Sequence, residues 1–239
     1  MGNRKKKARK AKGMKADKDK LVVHNDPKSP ISEIYRTIRT NIQFSAFDKE
    51  LKTLTVTSAT EGEGKSTTLS NLGVTLAQQN NRVLIVDADL RRPKMHKMFQ
   101  LANTEGLTEL LINKLEPESL IQTTFVENLF VLPTGVIPPN PAELLGSRRM
   151  NHFIENVKAK FDYVLIDIPP VNVVTDGLLI ANLMDGVILV CDSGNVAIEE
   201  AKRAKELLTN AKANILGVVL NNVAIDGSNY YYYQKRYQN

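Results

Sequence analysis

The architecture of this chain follows from one short stretch, which reads Ser58-Ala59-Thr60-Glu61-Gly62-Glu63-Gly64-Lys65-Ser66-Thr67-Thr68. An apolar, β-rich run at 54–57 precedes it, and a helical pattern over 66–79 follows it. Glycines let backbone N–H groups turn toward an anion without a Cβ clash. A helix that begins near Lys65 points the positive end of its dipole at the same anion. The stretch therefore predicts a phosphate-binding loop between a strand and a helix.

The loop matches the P-loop pattern of Gly, four residues and Gly-Lys-Ser/Thr, with Ala59 at the first glycine position. In such loops the lysine spreads positive charge over the β and γ oxygens, and the hydroxyl after it can ligate Mg²⁺. We therefore predict ATP and Mg²⁺ as cofactors. A flexible strand-to-helix turn is the plain alternative. The candidate nucleotide-binding residues in the loop are Thr60, Glu61, Gly62, Glu63, Gly64, Lys65, Ser66 and Thr67.

Two other apolar runs end in carboxylates. The run at 83–86 leads into Asp87 and Asp89, and the run at 163–166 leads into Asp167 and two prolines. Ligands of α/β sheets lie at the carboxyl ends of the strands, where phosphate would repel unpaired carboxylates. We therefore predict Mg²⁺ ligands at Ser66, Asp87 and Asp167. We predict catalytic roles for Lys65, Asp87 and Asp89, with one of these two aspartates accepting the proton of an attacking hydroxyl. Alternatively, both aspartates cap the next helix.

Apolar runs alternate with helical patterns along most of the chain. The runs are continuous rather than alternating, which is typical of strands buried on both faces. The pattern predicts an α/β fold with a mostly parallel central sheet and helices on both faces. The last run ends in Asn221 and Asn222, whose amides can recognise the adenine edge or simply form a turn.

The charge of the chain is concentrated at its N-terminus. The net charge is +6, and residues 4–20 hold ten Lys or Arg and only two Asp. This composition predicts a disordered basic arm at 1–25, before a domain at 26–225 and a tail at 226–239. The arm suits an anionic membrane surface better than nucleic acid, because no aromatic residues interleave with its charges. The sequence has no apolar run of membrane-spanning length and no secretory signal, so we expect a cytoplasmic protein.

The motifs together resemble the bacterial tyrosine kinases, or BY-kinases, of capsule and exopolysaccharide operons. The resemblance covers about residues 28–239 and rests on the loop with Ala59, on Asp87 with Asp89, and on 167–170. It implies a P-loop NTPase fold and an ATP-dependent protein-tyrosine kinase. It also implies a membrane-anchored adaptor that completes the nucleotide site and recruits the kinase to the inner face of the membrane.

Two further features strengthen the resemblance. Glu33, Arg36 and Arg39 match the family's Glu-x-x-Arg-x-x-Arg helix motif, which implies self-association into a ring. The spacing puts them on one helix face, which is otherwise a solvated surface. Five of the seven tyrosines lie in the last ten residues and resemble the family's autophosphorylation cluster, although a tail docked on the domain is the alternative. They are Tyr230, Tyr231, Tyr232, Tyr233 and Tyr237.

Two other classes of protein compete with a kinase. Partitioning or positioning ATPases are related P-loop proteins that carry an additional lysine five positions before the conserved one. That position is Thr60 here, and the tyrosine cluster has no role in such proteins. A binding module, in which nucleotide switches the grip of the basic arm on DNA or lipid, is the second competitor.

Overall fold

The computed structural model describes residues 17–45 and 50–224, and these residues contain one seven-stranded sheet. The strand order is β3-β4-β2-β5-β1-β6-β7. Only β3 runs antiparallel to its neighbour, and every other pair is parallel. This confirms the predicted α/β fold. The strands are β1 (Thr53–Ser58), β2 (Val83–Asp87), β3 (Gln122–Thr123), β4 (Leu129–Leu132), β5 (Tyr163–Asp167), β6 (Gly186–Asp192) and β7 (Ile215–Asn221).

Helices cover both faces of the sheet, as predicted. One face packs against the first four helices and the other against the remaining five. A 3₁₀ turn at Pro117–Ser119 precedes β3. The helices are α1 (Val22–Asn25), α2 (Pro30–Ser45), α3 (Lys65–Ala77), α4 (Met95–Met98), α5 (Leu107–Asn113), α6 (Pro141–Leu145), α7 (Arg148–Lys158), α8 (Asp176–Ala181) and α9 (Ile198–Asn210).

The helix α7 shows how the sequence specifies these elements. Its N-cap is Ser147, whose hydroxyl accepts the backbone N–H of Met150 at 3.2 Å. Met150, Phe153, Ile154 and Val157 recur at helical spacing and are all buried in the core. Polar residues occupy the other positions, so the helix packs on one face only.

The sheet is buried in its centre and open at one edge. All residues of β1, β2 and β6 are buried, which explains the continuous apolar runs of β2 and β6. In β1, buried threonines alternate with Leu54 and Val56, and the hydroxyls of Thr55 and Thr57 donate to backbone carbonyls. The edge strand β7 is covered less well, and Val218 and Leu220 are exposed. In the described parts of the chain, no helix has both the length and the apolar character needed to cross a bilayer.

The packed domain begins earlier than predicted. Leu21 and Val23 are fully buried in the same hydrophobic core as the apolar residues of α3. The sequence predicts a disordered arm that ends at residue 25, so this boundary is wrong for these residues. The amide of Asn71 in α3 accepts the N–H of Val23 at 3.0 Å and donates to the carbonyl of Lys20 at 2.9 Å. The many lysines and arginines at 4–20 predict a disordered segment and give no sign of the short apolar stretch that follows them. The rest of the arm, residues 1–16, and the tail at 226–239 lie outside the described residues.

Asp185 joins three elements at the amino ends of the strands. Its Oδ2 accepts the backbone N–H groups of Lys52 and Thr53 at 3.0 and 2.8 Å, and its Oδ1 accepts a bond from Lys158 Nζ at 2.8 Å. Partial burial acts to raise the pKa of Asp185, but the bonds from Lys158 and Thr53 lower it overall. The charged carboxylate therefore holds β1, the turn before β6 and the end of α7 together.

We predict that Asp185→Asn lowers the free energy of unfolding by about 1–3 kcal/mol near neutral pH, because it removes an ion pair and leaves N–H donors poorly satisfied. The folded pKa lies below the unfolded value, so the stabilisation is present above the unfolded pKa and disappears as the pH falls through the folded one. Urea titrations at several pH values measure this difference.

The control for Asp185 is Glu118→Gln, which breaks the solvent-exposed pair with Lys160. Exposed pairs contribute little, so we expect a loss below about 1 kcal/mol for this variant. A loss for Asp185→Asn that stays constant down to the acid limit of folding contradicts the assigned role of the charge.

Candidate active site

A cavity of about 900 Å³ opens above the carboxyl ends of the central strands. Its size is within the range of small-molecule sites. The predicted residues that line it are Glu61, Gly62, Gly64, Lys65, Ser66, Thr67, Asp89, Asn221 and Asn222. Asp17 and Lys20, before the first helix, also line it, as do the arginines and prolines that follow β2 and β5. The structure therefore gathers most of the predicted site around one opening.

Gly64 shows why the loop needs glycine. Its φ is +94°, in the left-handed region that other residues rarely adopt, and it is the N-cap residue of α3. A Cβ at this position would lie 2.2 Å from Nδ2 of Asn221, so this amide would have to move from its bond to the carbonyl of Glu63. The first turn of the 13-residue helix α3 borders the cavity, so its free N–H groups and dipole favour an anion there.

Lys65 lies between two carboxylates at the base of the cavity. Its Nζ is 2.9 Å from Asp89 Oδ2 and 3.3 Å from Asp167 Oδ1. The hydroxyl of Ser66 donates to Asp167 Oδ2 at 2.7 Å. Burial alone would lower the pKa of Lys65, but Asp167 and Asp89 raise it above its ordinary value. The ammonium group is therefore charged, and a triphosphate would compete with two carboxylates for it.

Asp87 is fully buried below this group and does not line the cavity. Its Oδ2 accepts the backbone N–H groups of Lys94 and Met95, both at 2.9 Å. Its Oδ1 has no hydrogen-bond partner among the described residues. Burial, reinforced by the charge of Asp167, raises the pKa of Asp87 to about 7. The excess of buried negative charge and the unpaired oxygen both suit a cation at this position.

The oxygen atoms of Ser66, Asp87 and Asp167 are the hard ligands that Mg²⁺ prefers. In residues 17–45 and 50–224, no three acidic, histidine or cysteine side chains are arranged to hold a metal by themselves. This fits Mg²⁺, which usually takes one or two carboxylates together with phosphate oxygens and water. The residues present therefore fit a metal that arrives with its nucleotide.

The side chains of Thr60 and Glu63, two residues of the phosphate loop, do not line the cavity. They hydrogen-bond to each other. The prediction that these two loop residues take part in nucleotide binding concerns the loop backbone and stays a prediction. Glu63 is only 2% exposed. A carboxylate facing a triphosphate would be repelled, and burial beneath the loop avoids this repulsion. Both residues instead shape the loop.

The arginines that follow Asp89 form ion pairs at the rim of the cavity. Arg91 donates to Asp176 at 2.8 Å, and Arg92 pairs with Glu61 of the phosphate loop. The pair with Asp176 fastens the loop after β2 to the first turn of α8. Sequence analysis gave no signal for Asp176, because its partner lies 85 residues away in the chain.

The strand β6 ends in Asp192, which sequence analysis missed. Asp192 is buried and accepts a bond from the amide of Asn222 at 3.0 Å. A signal for it existed, since an apolar run followed by an aspartate also identified Asp87 and Asp167. Asn221 donates to the backbone carbonyl of Glu63 in the phosphate loop at 3.0 Å. Asn221 thus contacts the loop itself, and Asn222 contacts Asp192 at the end of β6.

The residues predicted for self-association lie on α2 and make contacts within the chain. Arg36 pairs with Glu33 and donates to the carbonyl of Pro27 at 2.7 Å. Arg39 donates to the carbonyl of Thr75 at 3.1 Å. Two isoleucines on the same helix, Ile31 and Ile34, are about half exposed. The predicted autophosphorylation tyrosines lie outside the described residues.

The fold and the site together define a nucleotide-binding P-loop protein. Residues 50–232 match the ParA family of P-loop NTPases, described as "NUBPL iron-transfer P-loop NTPase". The tyrosine-protein kinase YwqD of Bacillus subtilis is 44% identical over 226 residues, 94% of this chain and 95% of the relative.

Two solved structures agree with this relative. The chimerical protein CapA2B2 is 43% identical, with a TM-score of 0.83 over 87% of this chain and 91% of the other. The kinase domain of the Escherichia coli tyrosine kinase ETK is 33% identical, also with a TM-score of 0.83, over 87% of this chain and 82% of the other. The chain thus belongs to the ParA-type P-loop NTPases and, within them, to the bacterial tyrosine-protein kinases.

We predict that Lys65→Met weakens ATP binding by at least about tenfold, because it removes a charged donor to the phosphates. Isothermal titration with ATP and Mg²⁺ measures the change. Lys97→Met, on the exposed surface of α4, is the matched control and should bind like the wild type. Circular dichroism must show that Lys65→Met is folded, since it leaves Asp89 and Asp167 without their cation. Unchanged affinity in a folded variant contradicts the site.

Proposed function

We propose that this chain transfers the γ-phosphoryl group of ATP to tyrosines in its own C-terminal segment. The observation that carries the proposal is the position of Lys65, held between Asp89 and Asp167 at the base of the cavity. The proposed acceptors are Tyr230, Tyr231, Tyr232, Tyr233 and Tyr237. Transfer of this kind depends on positioning and on neutralising charge.

The loop and the first turn of α3 bind the phosphates through backbone N–H groups. Lys65 leaves its carboxylates for the β and γ oxygens and stabilises the charge that develops in transfer. Ser66, Asp87 and Asp167 would hold the cation, and Mg²⁺ would neutralise phosphate charge when bound. Asn221 and Asn222, at the rim, face the base in this proposal.

The structure favours one aspartate as the proton acceptor. Asp89 lines the cavity, whereas Asp87 is fully buried and does not. Asp89 accepts the phenolic proton of the tyrosine in our proposal, and Asp87 serves the cation through its unpaired Oδ1. A phenol has an ordinary pKa near about 10, so a carboxylate is a sufficient base once the phosphoryl transfer is under way.

We also propose a protein partner and a cellular location for the kinase. A membrane-anchored adaptor completes the nucleotide site and recruits the kinase to the inner face of the membrane, where the basic arm meets anionic lipid. The kinase in this setting regulates capsule or exopolysaccharide synthesis and acts on further protein tyrosines. The likeness to the tyrosine-protein kinase YwqD supports the kinase activity in this proposal.

The rival partitioning-type ATPase has less support from the loop. Its additional lysine would stand at Thr60, whose hydroxyl and backbone N–H both bond to Glu63 inside the loop. This position therefore offers no cation to a second subunit. ATP hydrolysis without tyrosine phosphorylation would restore the rival.

The full chain, incubated with ATP, Mg²⁺ and the cytoplasmic segment of an adaptor, should become phosphorylated on its tail. Antibody to phosphotyrosine and mass spectrometry measure the product. A variant with phenylalanine at all five tail tyrosines should lose the signal while keeping ATP affinity, because only the acceptor is gone. Tyr163→Phe, in β5, is the control for loss of a tyrosine outside the tail. Undiminished signal in the five-fold variant contradicts the assignment.

We also propose that Glu33, Arg36 and Arg39 join subunits in a ring, with the half-exposed Ile31 and Ile34 beside them. Phosphorylation adds up to about two negative charges per tyrosine, and these charges repel neighbouring tails. Light scattering should therefore give a higher mass for unphosphorylated protein than for phosphorylated protein. Charge reversal at both arginines should yield monomers in either state. Equal masses in the two phosphorylation states count against the idea.

A further inference from the structure

Glu63 is a buried carboxylate that joins two distant parts of the chain. One of its oxygens, Oε1, accepts the backbone N–H of Thr60 and the hydroxyl of Thr60 at 3.0 Å. The other, Oε2, accepts the backbone N–H of Asp192 at 3.1 Å. The side chain thus ties the start of the phosphate loop to the end of β6, and both of its oxygens act as acceptors.

The network continues from β6 to the end of β7. Asp192 uses Oδ1 to accept a bond from the amide of Asn222 at 3.0 Å and Oδ2 to accept one from Asn195 at 3.0 Å. Asn221 donates to the backbone carbonyl of Glu63 at 3.0 Å and packs against Gly64. The phosphate loop is therefore connected to Asn221 and Asn222 in two ways, through the side-chain carboxylate of Glu63 and through its backbone carbonyl.

We infer that Glu63 is a positioning residue that makes the phosphate loop and Asn221–Asn222 respond as one unit, so that the base of a bound nucleotide improves the grip on its phosphates. The inference rests on the proposed nucleotide site. Contact of the base with Asn222 restrains Asp192, and Asp192 restrains Glu63 through its N–H. Glu63 in turn fixes Thr60 and the entry to the loop.

The chemistry of the side chain explains why this position needs a carboxylate. Both oxygens face N–H donors, so both must be acceptors. Glutamine has the same shape but presents an NH₂ group to one of the two N–H donors. Glu63→Gln therefore breaks one end of the connection with little change in volume. It leaves Lys65, Ser66 and the backbone N–H groups of α3 in place.

The test compares Mg²⁺-dependent binding of ATP and of inorganic tripolyphosphate to the full chain by calorimetry. Glu63→Gln should weaken ATP by about tenfold and tripolyphosphate by less than about twofold. The preference for ATP over the base-free ligand should fall accordingly. Asn222→Ala should have a similar effect. Both substitutions interrupt the same path of contacts from Asn222 to Glu63. The double variant should therefore bind ATP no more weakly than the single variant with the lower affinity.

Glu109→Gln is the matched control. Glu109 also bridges two backbone N–H groups, those of Gly106 and Val136, but it lies outside the cavity. The same chemical change there should leave the preference for ATP intact. An equal loss of ATP and tripolyphosphate binding in Glu63→Gln, or additive effects in the double variant, overturns the inference. Wild-type protein that binds no ATP overturns the proposed function as well, so the two failures are distinguishable.

A second measurement needs no change at Glu63. In the wild type, ATP should slow amide hydrogen exchange at Thr60 more than tripolyphosphate does, because the base adds to the restraint. In Asn222→Ala, the two ligands should slow it equally. An unchanged advantage of ATP in Asn222→Ala overturns the inference even if Glu63→Gln does not fold.

Discussion

The interaction on which the structure depends is the ion cluster of Lys65 with Asp89 and Asp167. Taking such charges out of water is costly, and the cost is recovered only when every charge has close partners. The register of β2 and β5 places Asp87 directly beside Asp167, so two carboxylates meet across neighbouring strands. Lys65 supplies one positive charge to this excess of negative charge, which leaves the cluster short of a cation.

The parallel sheet is what makes this concentration of charge feasible. The six parallel strands end at the same edge, so Asp87 and Asp167 meet there with Lys65 of α3, although the three residues are far apart in the chain. Apolar residues bury the strands on both faces, with α3 in the core on one face and α7 in the core on the other. The rigid core therefore carries an electrostatically frustrated site, which is how binding sites differ from the rest of a fold.

Much of this arrangement follows from local sequence. Apolar, β-rich runs define the six parallel strands, and the phosphate loop lines the cavity at their carboxyl ends. The remainder depends on tertiary register. The side-chain contact of Glu63 with Asp192 cannot be predicted locally, because the two residues lie 129 positions apart. Likewise, Leu21 and Val23 directly follow a lysine-rich segment, so composition alone predicts that they are exposed, whereas they are buried.

The contact of Asn71 with the segment before α1 has a geometric meaning. One amide group holds the carbonyl of Lys20 and the N–H of Val23, and it belongs to the same helix whose first turn carries Lys65 and Ser66. The described segment at 20–23 is therefore fastened directly to the helix that carries Lys65 and Ser66. A partner that binds the chain at Asp17 or Lys20 would therefore lie at the mouth of the cavity, which both residues line.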